Sequence, residues 1–344
     1  MNLILWCALA WLAVWILAPR MVVFCKQIGM VSAVISRSSH STPTPHGGGV
    51  VLPMVVVPMG LAWVLWAQPI YSTYLLVLLL ASVAVAWVGW LDDKDELKAR
   101  YRLLVHLMAV AVVIYFLPPV FDVFPQNWVM PWWAEKIFLL LALGWFINLY
   151  NFMDGSDGLA TTQAIFLGVG LALLYPPVAP LALVLAAGAA AFLRVNAPPA
   201  QTFMGDVCST WLGFVLGGLL ALAAAYNTWQ LLWPLLTLPL VFCADATSTL
   251  FRRMAQGHKP WVPHKTFWFH RAMALGMNKP QLMLWVAALN TMLLSLALGS
   301  LALGWPELGF LLGLLLMVAV ACYIRTTEHT RAQTRTSPHK PTRK

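Results

Sequence analysis

Long apolar runs constrain this chain more than any other feature of its sequence. A helix needs about 20 apolar residues to cross the hydrocarbon core of a bilayer, and about eleven such runs follow one another here. The composition agrees, because 61% of the 344 residues are hydrophobic, 10% are charged and the mean hydropathy is +0.77. The sequence therefore predicts an all-α polytopic membrane protein with about eleven transmembrane helices. The predicted spans cover residues 3–19, 50–67, 72–91, 103–119, 136–150, 160–175, 178–194, 209–226, 229–250, 281–301 and 306–324.

The distribution of Lys and Arg predicts the orientation of these spans. Basic loop residues resist translocation, and with alternating spans every Lys and Arg except Lys136 falls on one side. That side is predicted to be cytoplasmic, so the N-terminus is periplasmic and the C-terminus cytoplasmic. Residues 1–325 are expected to form an integral membrane catalytic domain, and 326–344 a disordered basic cytoplasmic tail. The net charge of +9 then reflects topology and attraction to anionic lipid or substrate, and nucleic acid is not an expected partner.

Carboxylates concentrate at the cytoplasmic ends of the predicted spans. Charge at membrane depth is costly and is usually tied to function. Random placement would have distributed these residues over both faces, so their positions predict an active site at the cytoplasmic face. The carboxylates on this face are Asp92, Asp93, Asp95, Glu96, Asp154, Asp157, Asp206 and Asp245.

Two acidic segments suggest specific chemistry. In WLDDKDELKARYR, Asp92 and Asp93 are adjacent, so both ionise comfortably only beside a cation or a basic group. The alternative is a solvated helix end that faces Lys94 and Lys98. In FMGDVCSTWLGF, Asp206 follows a glycine at the mouth of the eighth span. An oxygen ligand in this position suits Mg²⁺, which keeps waters and shares its coordination with substrate phosphates.

Two further segments carry features of anion binding. RSSHSTPTPHGGGV (37–50) has three glycines that let a backbone approach a ligand, followed by a predicted helix N-terminus that offers N–H groups to an anion. Its alternative reading is a linker. The loop from Arg252 to Lys279 is the richest basic stretch and could grip phosphates. Its alternative reading is an anchor that follows the positive-inside rule.

Five motifs together resemble the polyprenyl-phosphate N-acetylhexosamine-1-phosphate transferases of glycosyltransferase family 4, and within that family the bacterial enzymes that initiate O-antigen or capsule synthesis. They occur in family order between Arg37 and Met254. The motif NxxNxxDGxDGLA is highly specific. The segments are RSSHSTPTPHGGG, DDKDELKARYRLL, NLYNFMDGSDGLA, RVNAPPAQTFMGD followed by STWLGF, and PLVFCADATSTLFRRM.

The resemblance implies transfer of a sugar-1-phosphate from a UDP-N-acetyl sugar to undecaprenyl phosphate in the bacterial inner membrane, with release of UMP. It implies Mg²⁺ or Mn²⁺ as the cofactor and is compatible with a homodimer. By position, Asp206 is similar to the metal ligand, and Asp92 and Asp93 to the catalytic pair beside the metal and the lipid phosphate. The positions similar to those that hold the uridine are Gly155, Ser156, Asp157, Asn196 and Phe203. Further substrate-binding candidates within the motifs are His40, Arg102, Asn148, Asn151 and Asp154.

The basic loop departs from the family pattern. The family usually has a histidine-rich motif before the tenth span, but this chain reads PHKTFWFHRAM, with Phe267 where the central histidine would be. Either His264 and His270 substitute for the missing histidine, or this protein binds the sugar phosphate differently. Lys265 and Arg271 in the same loop are also candidates for substrate binding.

The residues support this chemistry without the family name. A phosphate monoester has a second pKa of about 6, so a lipid phosphate is largely dianionic and needs little help from a base. A divalent ion and an Arg/Lys clamp would neutralise the three phosphates that must meet. We favour direct in-line attack on the β-phosphorus, with a covalent intermediate on Asp92 or Asp93 as the alternative.

Two other classes of protein stay open. A transporter of anionic solutes should have charge near the bilayer midplane and repeated halves, neither of which the sequence shows. A membrane phosphatase could use the same metal and aspartates, but it would leave the uridine segment without a role.

Overall fold

The computed structural model describes residues 2–32, 43–118, 130–225, 229–259, 262 and 264–336. Within them, one short antiparallel sheet pairs β1 (Val31–Ser32) with β2 (Thr44–Pro45), and the other regular structure is helical. The helices are α1 (Leu3–Gln27), α2 (Val51–Ala67), α3 (Ser72–Asp95), α4 (Ala99–Tyr115), α5 (Trp132–Met153), α6 (Leu159–Leu174), α7 (Ala179–Asn196), α8 (Asp206–Ala225), α9 (Trp229–Thr237), α10 (Leu240–Ala255), α11 (Trp268–Ala274), α12 (Lys279–Ala302) and α13 (Pro306–Thr336).

The helices confirm an all-α polytopic membrane protein. Among the described residues, 8 helices are long and apolar enough to cross a membrane, and α9 with α10 makes up to 9 if that bent pair is one span. The two remaining predicted spans coincide with α4 and α6, which have 17 and 16 residues. The total of eleven spans and the orientation in the membrane stay predictions.

The ninth predicted span is broken in the structure. The sequence predicts one helix over 229–250, but α9 ends at Thr237, α10 begins at Leu240, and their axes differ by 71°. Pro239 lies at the N-cap of α10, and because proline has no amide hydrogen it cannot continue the hydrogen-bond ladder. The carbonyl of Leu238 at the break accepts a hydrogen bond from Gln163 Nε2 at 3.4 Å.

Helix α8 lies at the centre of the bundle, and 89% of its most apolar 18-residue window is buried. Small residues allow its neighbours to approach closely. A Cβ atom at Gly213 would lie 2.9 Å from Ile147 Cα on α5, and one at Gly89 on α3 would lie 2.6 Å from the carbonyl oxygen of Asp206. The end of α3 therefore rests directly on the start of α8, and this contact brings the acidic residues of both helices together.

Helix α13 continues to Thr336, past the predicted domain boundary at residue 325. Arg271 on α11 pairs with Glu328 on this extension through two bonds of 2.8 and 2.6 Å, so the extension is tied to the helical body. Residues 337–344 lie outside the described part of the chain, and the division into domain and tail stays a prediction.

Candidate active site

A cavity of about 300 Å³ opens where α3 and α5 end and α8 begins. It brings together nine of the residues that the sequence singles out, from segments far apart in the chain. His40 lies outside the described residues, and Asn148 donates its side-chain amide to Gly144 O on its own helix at 2.8 Å. The residues that line the cavity are Ser32, His46, Asp93, Asn151, Asp154, Gly155, Ser156, Asp157, Asn196, Phe203, Met204, Gly205 and Asp206.

Asp93 caps the N-terminus of α8. Its Oδ1 accepts a hydrogen bond from the amide of Asp206 at 2.9 Å, and its Oδ2 accepts one from the amide of Val207 at 3.0 Å. The first amides of a helix have no partner within the helix, and the helix dipole favours an anion at this end. Gly205 precedes the helix with a φ of +80°, and a Cβ atom there would lie 2.5 Å from Asp93 Oδ2. Asp93 thus fixes the position from which the side chain of Asp206 projects.

Arg102 on α4 bridges two of the carboxylates. Its Nη1 forms an ion pair with Asp92 and another, at 2.5 Å, with Asp206 Oδ2. The sequence predicts a cation or a basic group beside the adjacent aspartates. In the structure, Arg102 is the basic group that pairs with Asp92. Lys94 and Lys98, the partners in the alternative reading, are exposed. The guanidinium therefore places positive charge where the acidic ends of α3 and α8 meet.

Asn151 on α5 orients Asp206 from a third side. Its Nδ2 donates to Asp206 Oδ2 at 3.2 Å, and its Oδ1 accepts from the buried Ser209 Oγ at 2.7 Å. Because the hydroxyl of Ser209 can donate to the amide oxygen, it fixes which way round the amide of Asn151 lies. Asp206 is consequently held from three helices, through its amide by Asp93 and through its side chain by Arg102 and Asn151.

Asp154 follows directly after α5 and adds a further carboxyl group to this cavity. Burial, and then the nearby carboxylates of Asp206, Asp93 and Asp157, raise the pKa of Asp154 above its ordinary value. Asp154 therefore tends to hold its proton, and a cation bound beside it would favour the charged form instead.

The residues predicted to hold the uridine all line the cavity. The side chains of two of them, Asp157 and Asn196, already form hydrogen bonds within the protein. Asp157 Oδ2 accepts from the amide of Ala200 at 3.1 Å. Asn196 Oδ1 accepts from Thr161 Oγ1 at 2.6 Å, and its Nδ2 donates to the carbonyl of Thr202 at 3.1 Å. These bonds fasten the start of α6 to the loop between α7 and α8.

His46 is a cavity residue that the sequence reasoning missed. Its Nε2 lies 2.7 Å from the carbonyl oxygen of Asp93, and its Nδ1 lies 3.3 Å from Ser32 Oγ. The carbonyl can only accept, so Nε2 donates to it. The available signal was its place directly before the glycine run, where Gly47 has a φ of +78°.

Asp245 anchors the short helix α11 within the basic loop. This buried carboxylate accepts from the amides of Trp268 at 2.6 Å and Phe269 at 3.2 Å, so it caps α11 from α10. The sequence placed Asp245 among the carboxylates of the active site, whereas the structure gives it contacts with the backbone of this short helix. Its hydrogen bonds set the position of α11.

Phe267, which replaces a family histidine, lies in an aromatic cluster. It is 5% exposed, and its ring centroid lies 4.5 Å from that of His264 and 5.8 Å from that of Phe269. Among the described residues that line the cavity, none comes from the 264–271 segment, which includes the candidates Lys265 and Arg271. The segment packs behind the cavity wall, because a Cβ atom built at Gly155 would lie 2.7 Å from Phe269 Cζ and 3.6 Å from His270 Cε1.

His270 should contribute a loss of stability as the pH falls from about 6.5 to about 4. Burial, assisted by Lys265 and His264, lowers the pKa of His270 to about 4. The unfolded chain, with a histidine pKa of about 6.5, then binds more protons than the folded protein in this window, so acid favours unfolding. Thermal unfolding measured from pH 7 to pH 4.5, compared between the wild type and a variant that lacks this histidine, should show this contribution to the slope.

His270→Phe should remove part of that slope, because the ring stacks but does not titrate. Replacing the exposed His329 by Phe is the matched control and should leave the slope unchanged. An equal slope in wild type and His270→Phe would mean that His270 is not held neutral by its surroundings.

Comparison with known proteins agrees with this arrangement. Residues 75–224 match the family described as glycosyl transferase family 4. A probable undecaprenyl-phosphate N-acetylglucosaminyl 1-phosphate transferase of Bacillus subtilis is 28% identical over 283 residues, which cover 78% of this chain and 76% of the relative. A decaprenyl-phosphate N-acetylglucosaminephosphotransferase of Mycolicibacterium smegmatis is 30% identical over 289 residues, with coverage of 73% and 70%. A phospho-N-acetylmuramoyl-pentapeptide-transferase of a Synechococcus species is 30% identical over 270 residues, 71% of each chain.

The helical membrane fold and the acidic site at the helix ends thus occur in a membrane-bound transferase of sugar phosphates. The chain belongs to glycosyl transferase family 4, in the superfamily of polyprenyl-phosphate N-acetylhexosamine-1-phosphate transferases.

Proposed function

We propose that the protein transfers a sugar-1-phosphate from a UDP-N-acetylhexosamine to undecaprenyl phosphate in the bacterial inner membrane and releases UMP. The product would be the lipid-linked sugar that initiates an O-antigen, a capsule or a related glycan of the cell envelope. The observation that carries the proposal is the cavity in which Asp206, held by Asp93 and Arg102, faces the Gly155–Asp157 segment. The names of the relatives support a polyprenyl phosphate as the acceptor and an N-acetylated sugar as the transferred group.

The acidic site fits Mg²⁺ or Mn²⁺. Mg²⁺ is usually bound by one or two carboxylates together with substrate phosphates and water, and Asp206 with Asp92 offers such oxygens. Asp154, with its raised pKa, adds a carboxyl group that a cation would stabilise in the charged form. Within the described ranges, no group of three or more His, Cys, Asp or Glu side chains is arranged to hold a metal, so substrate phosphates and water would have to supply the remaining ligands. A bound divalent ion would neutralise the phosphates and polarise the β-phosphorus.

In the proposed reaction, an oxygen of the acceptor phosphate forms a bond to the β-phosphorus of the donor. The bond from that phosphorus to the bridging oxygen breaks, and UMP leaves with this oxygen. Arg102 supplies positive charge to the meeting phosphates from its place between Asp92 and Asp206. The Gly155–Asp157 segment holds the nucleoside in the cavity.

The geometry of Asp93 favours direct attack over a covalent intermediate on that residue. Both of its carboxylate oxygens accept amides of α8. To act as a nucleophile, Asp93 would have to give up at least one of these bonds and release the start of the helix that carries Asp206. Asp92, which also accepts the amide of Leu97 at 2.7 Å, remains the candidate for a covalent alternative.

Purified protein supplied with a panel of UDP-N-acetyl sugars, undecaprenyl phosphate and Mg²⁺ tests the proposal. Formation of UMP together with a lipid-linked sugar diphosphate is the expected result. Release of inorganic phosphate from the lipid would instead indicate a phosphatase. If no donor is turned over, while labelled UDP-sugar or phosphate crosses proteoliposomes, the protein is a transporter and the proposal is wrong.

A further inference from the structure

A partly buried ion pair joins the cavity wall to helix α12, which lies outside the sequence motifs. Asp157, which is 5% exposed, accepts from Lys279 Nζ at 2.7 Å through Oδ1. Its Oδ2 is occupied by the amide of Ala200 at 3.1 Å. Lys279 is 122 residues away in sequence, in the first turn of α12, and its side chain is 22% exposed. The carboxylate is therefore held from two directions.

The first turn of α12 is itself firmly placed. Asn278 and Gln281 form a capping box, with bonds of 2.9 Å from the Gln281 amide and 3.0 Å from the Asn278 amide. The next turn of α12 packs against Gly158, whose φ is +72°, because a Cβ atom there would lie 2.8 Å from Met283 Sδ. Lys279 thus projects from a fixed point onto the segment that lines the cavity.

The charge of Asp157 explains why its ion pair with Lys279 affects the shape of the cavity wall. A carboxylate as buried as that of Asp157 is costly unless it is paired and hydrogen-bonded. Without Lys279, Oδ1 of Asp157 would lose its partner, and the carboxylate would turn toward water or another donor. This turn would displace Gly155 and Ser156, which precede Asp157 in the cavity wall.

We propose that Lys279 is a positioning residue for the nucleotide part of the donor, and that it acts by holding Asp157 and with it the Gly155–Asp157 segment. The inference rests on the proposed function, because it assigns the segment to nucleotide binding. Asp157 then affects the donor mainly through the tie to Lys279 and Ala200.

Steady-state kinetics of Lys279→Met test the inference. A group that positions the donor equally in the ground state and the transition state changes KM and leaves kcat intact. We expect the KM for the UDP-sugar to rise about 10-fold to 100-fold, the range that one charge-assisted hydrogen bond supplies. We expect kcat, the KM for the acceptor lipid and the Mg²⁺ dependence to stay within about 3-fold. Lys279→Arg keeps the charge and should recover most of the affinity for the donor.

A double-mutant cycle with Asp157→Asn separates positioning from direct contact. If Lys279 acts through Asp157, the double variant should have a KM for the UDP-sugar no higher than that of the single variant with the higher KM. This variant also removes both charges, so it provides a folded sample if Lys279→Met alone leaves a destabilising buried carboxylate. Losses that multiply would show that the two residues act separately, and this would overturn the inference.

Lys26→Met, an exposed lysine on α1, is the matched control and should keep the wild-type KM. A wild-type donor KM in Lys279→Met would also overturn the inference, while the proposed function would stand. Absence of turnover by the wild-type protein with every UDP-sugar would overturn the proposed function, and the role of Lys279 would fall with it.

Discussion

Asp206→Asn should lower the rate of UMP formation by about 1,000-fold or more while leaving the protein folded and inserted in the membrane. The amide keeps the shape of the side chain but loses the charge that a divalent ion requires. Arg102 Nη1 and Asn151 Nδ2 both donate to Asp206 Oδ2, so the amide oxygen should turn toward these donors. The NH₂ group would then take the place of the other carboxylate oxygen, where it cannot bind a cation.

Binding of Mn²⁺, measured by electron paramagnetic resonance, gives a readout that does not depend on turnover. Asp206→Asn should bind Mn²⁺ far more weakly than the wild type. The matched control is Glu307→Gln, the same change of charge in the first turn of α13 and away from the cavity. Near-normal turnover with an unchanged Mg²⁺ requirement would exclude Asp206 as the metal ligand.

Asp93→Asn should lower kcat by about 100-fold and raise the Mg²⁺ concentration needed for half-maximal rate. Asparagine has one accepting oxygen, so its NH₂ group would face one of the two amides that Asp93 now accepts. The start of α8 should shift, and Asp206 would shift with it. A displacement of about 1 Å in a catalytic group is enough to cost this much rate.

The contrast with Asp92→Asn makes this prediction specific. Asp92 binds Arg102 and accepts the amide of Leu97, whereas Asp93 accepts the two amides at the start of α8. Substitution of Asp92 should therefore lower kcat with a smaller effect on the Mg²⁺ requirement. The two variants can be compared in one titration of rate against Mg²⁺, with Glu307→Gln again as the control. An Asp93→Asn enzyme with normal kcat and normal Mg²⁺ dependence would show that the cap does not position Asp206.

The positions of the helices and of the polar segments could be predicted from the sequence, because the bilayer constrains which residues a spanning helix can contain. A span needs about 20 apolar residues, and charge within it is costly, so apolar runs locate the helices and stray carboxylates indicate a site. Each predicted span coincides with a helix or with the α9 and α10 pair, although 8 or 9 of them meet the criteria for crossing a membrane. The family followed from motifs whose order in the chain could be read directly.

The contacts that define the site depended on the tertiary structure, because their partners are far apart in sequence. Asp93 lies 113 residues from the amide of Asp206 that it caps, and Lys279 lies 122 residues from Asp157. No local pattern reports such pairs, since they arise only when helix packing brings the ends of distant segments together. The sequence by itself determined an all-helical membrane protein of this transferase family and the segments that carry its polar residues. Only the tertiary structure decided which of those residues line the cavity and which, such as Asp245, stabilise the helices around it. The reason is that helix packing, and not proximity in the chain, determines which groups form hydrogen bonds with each other.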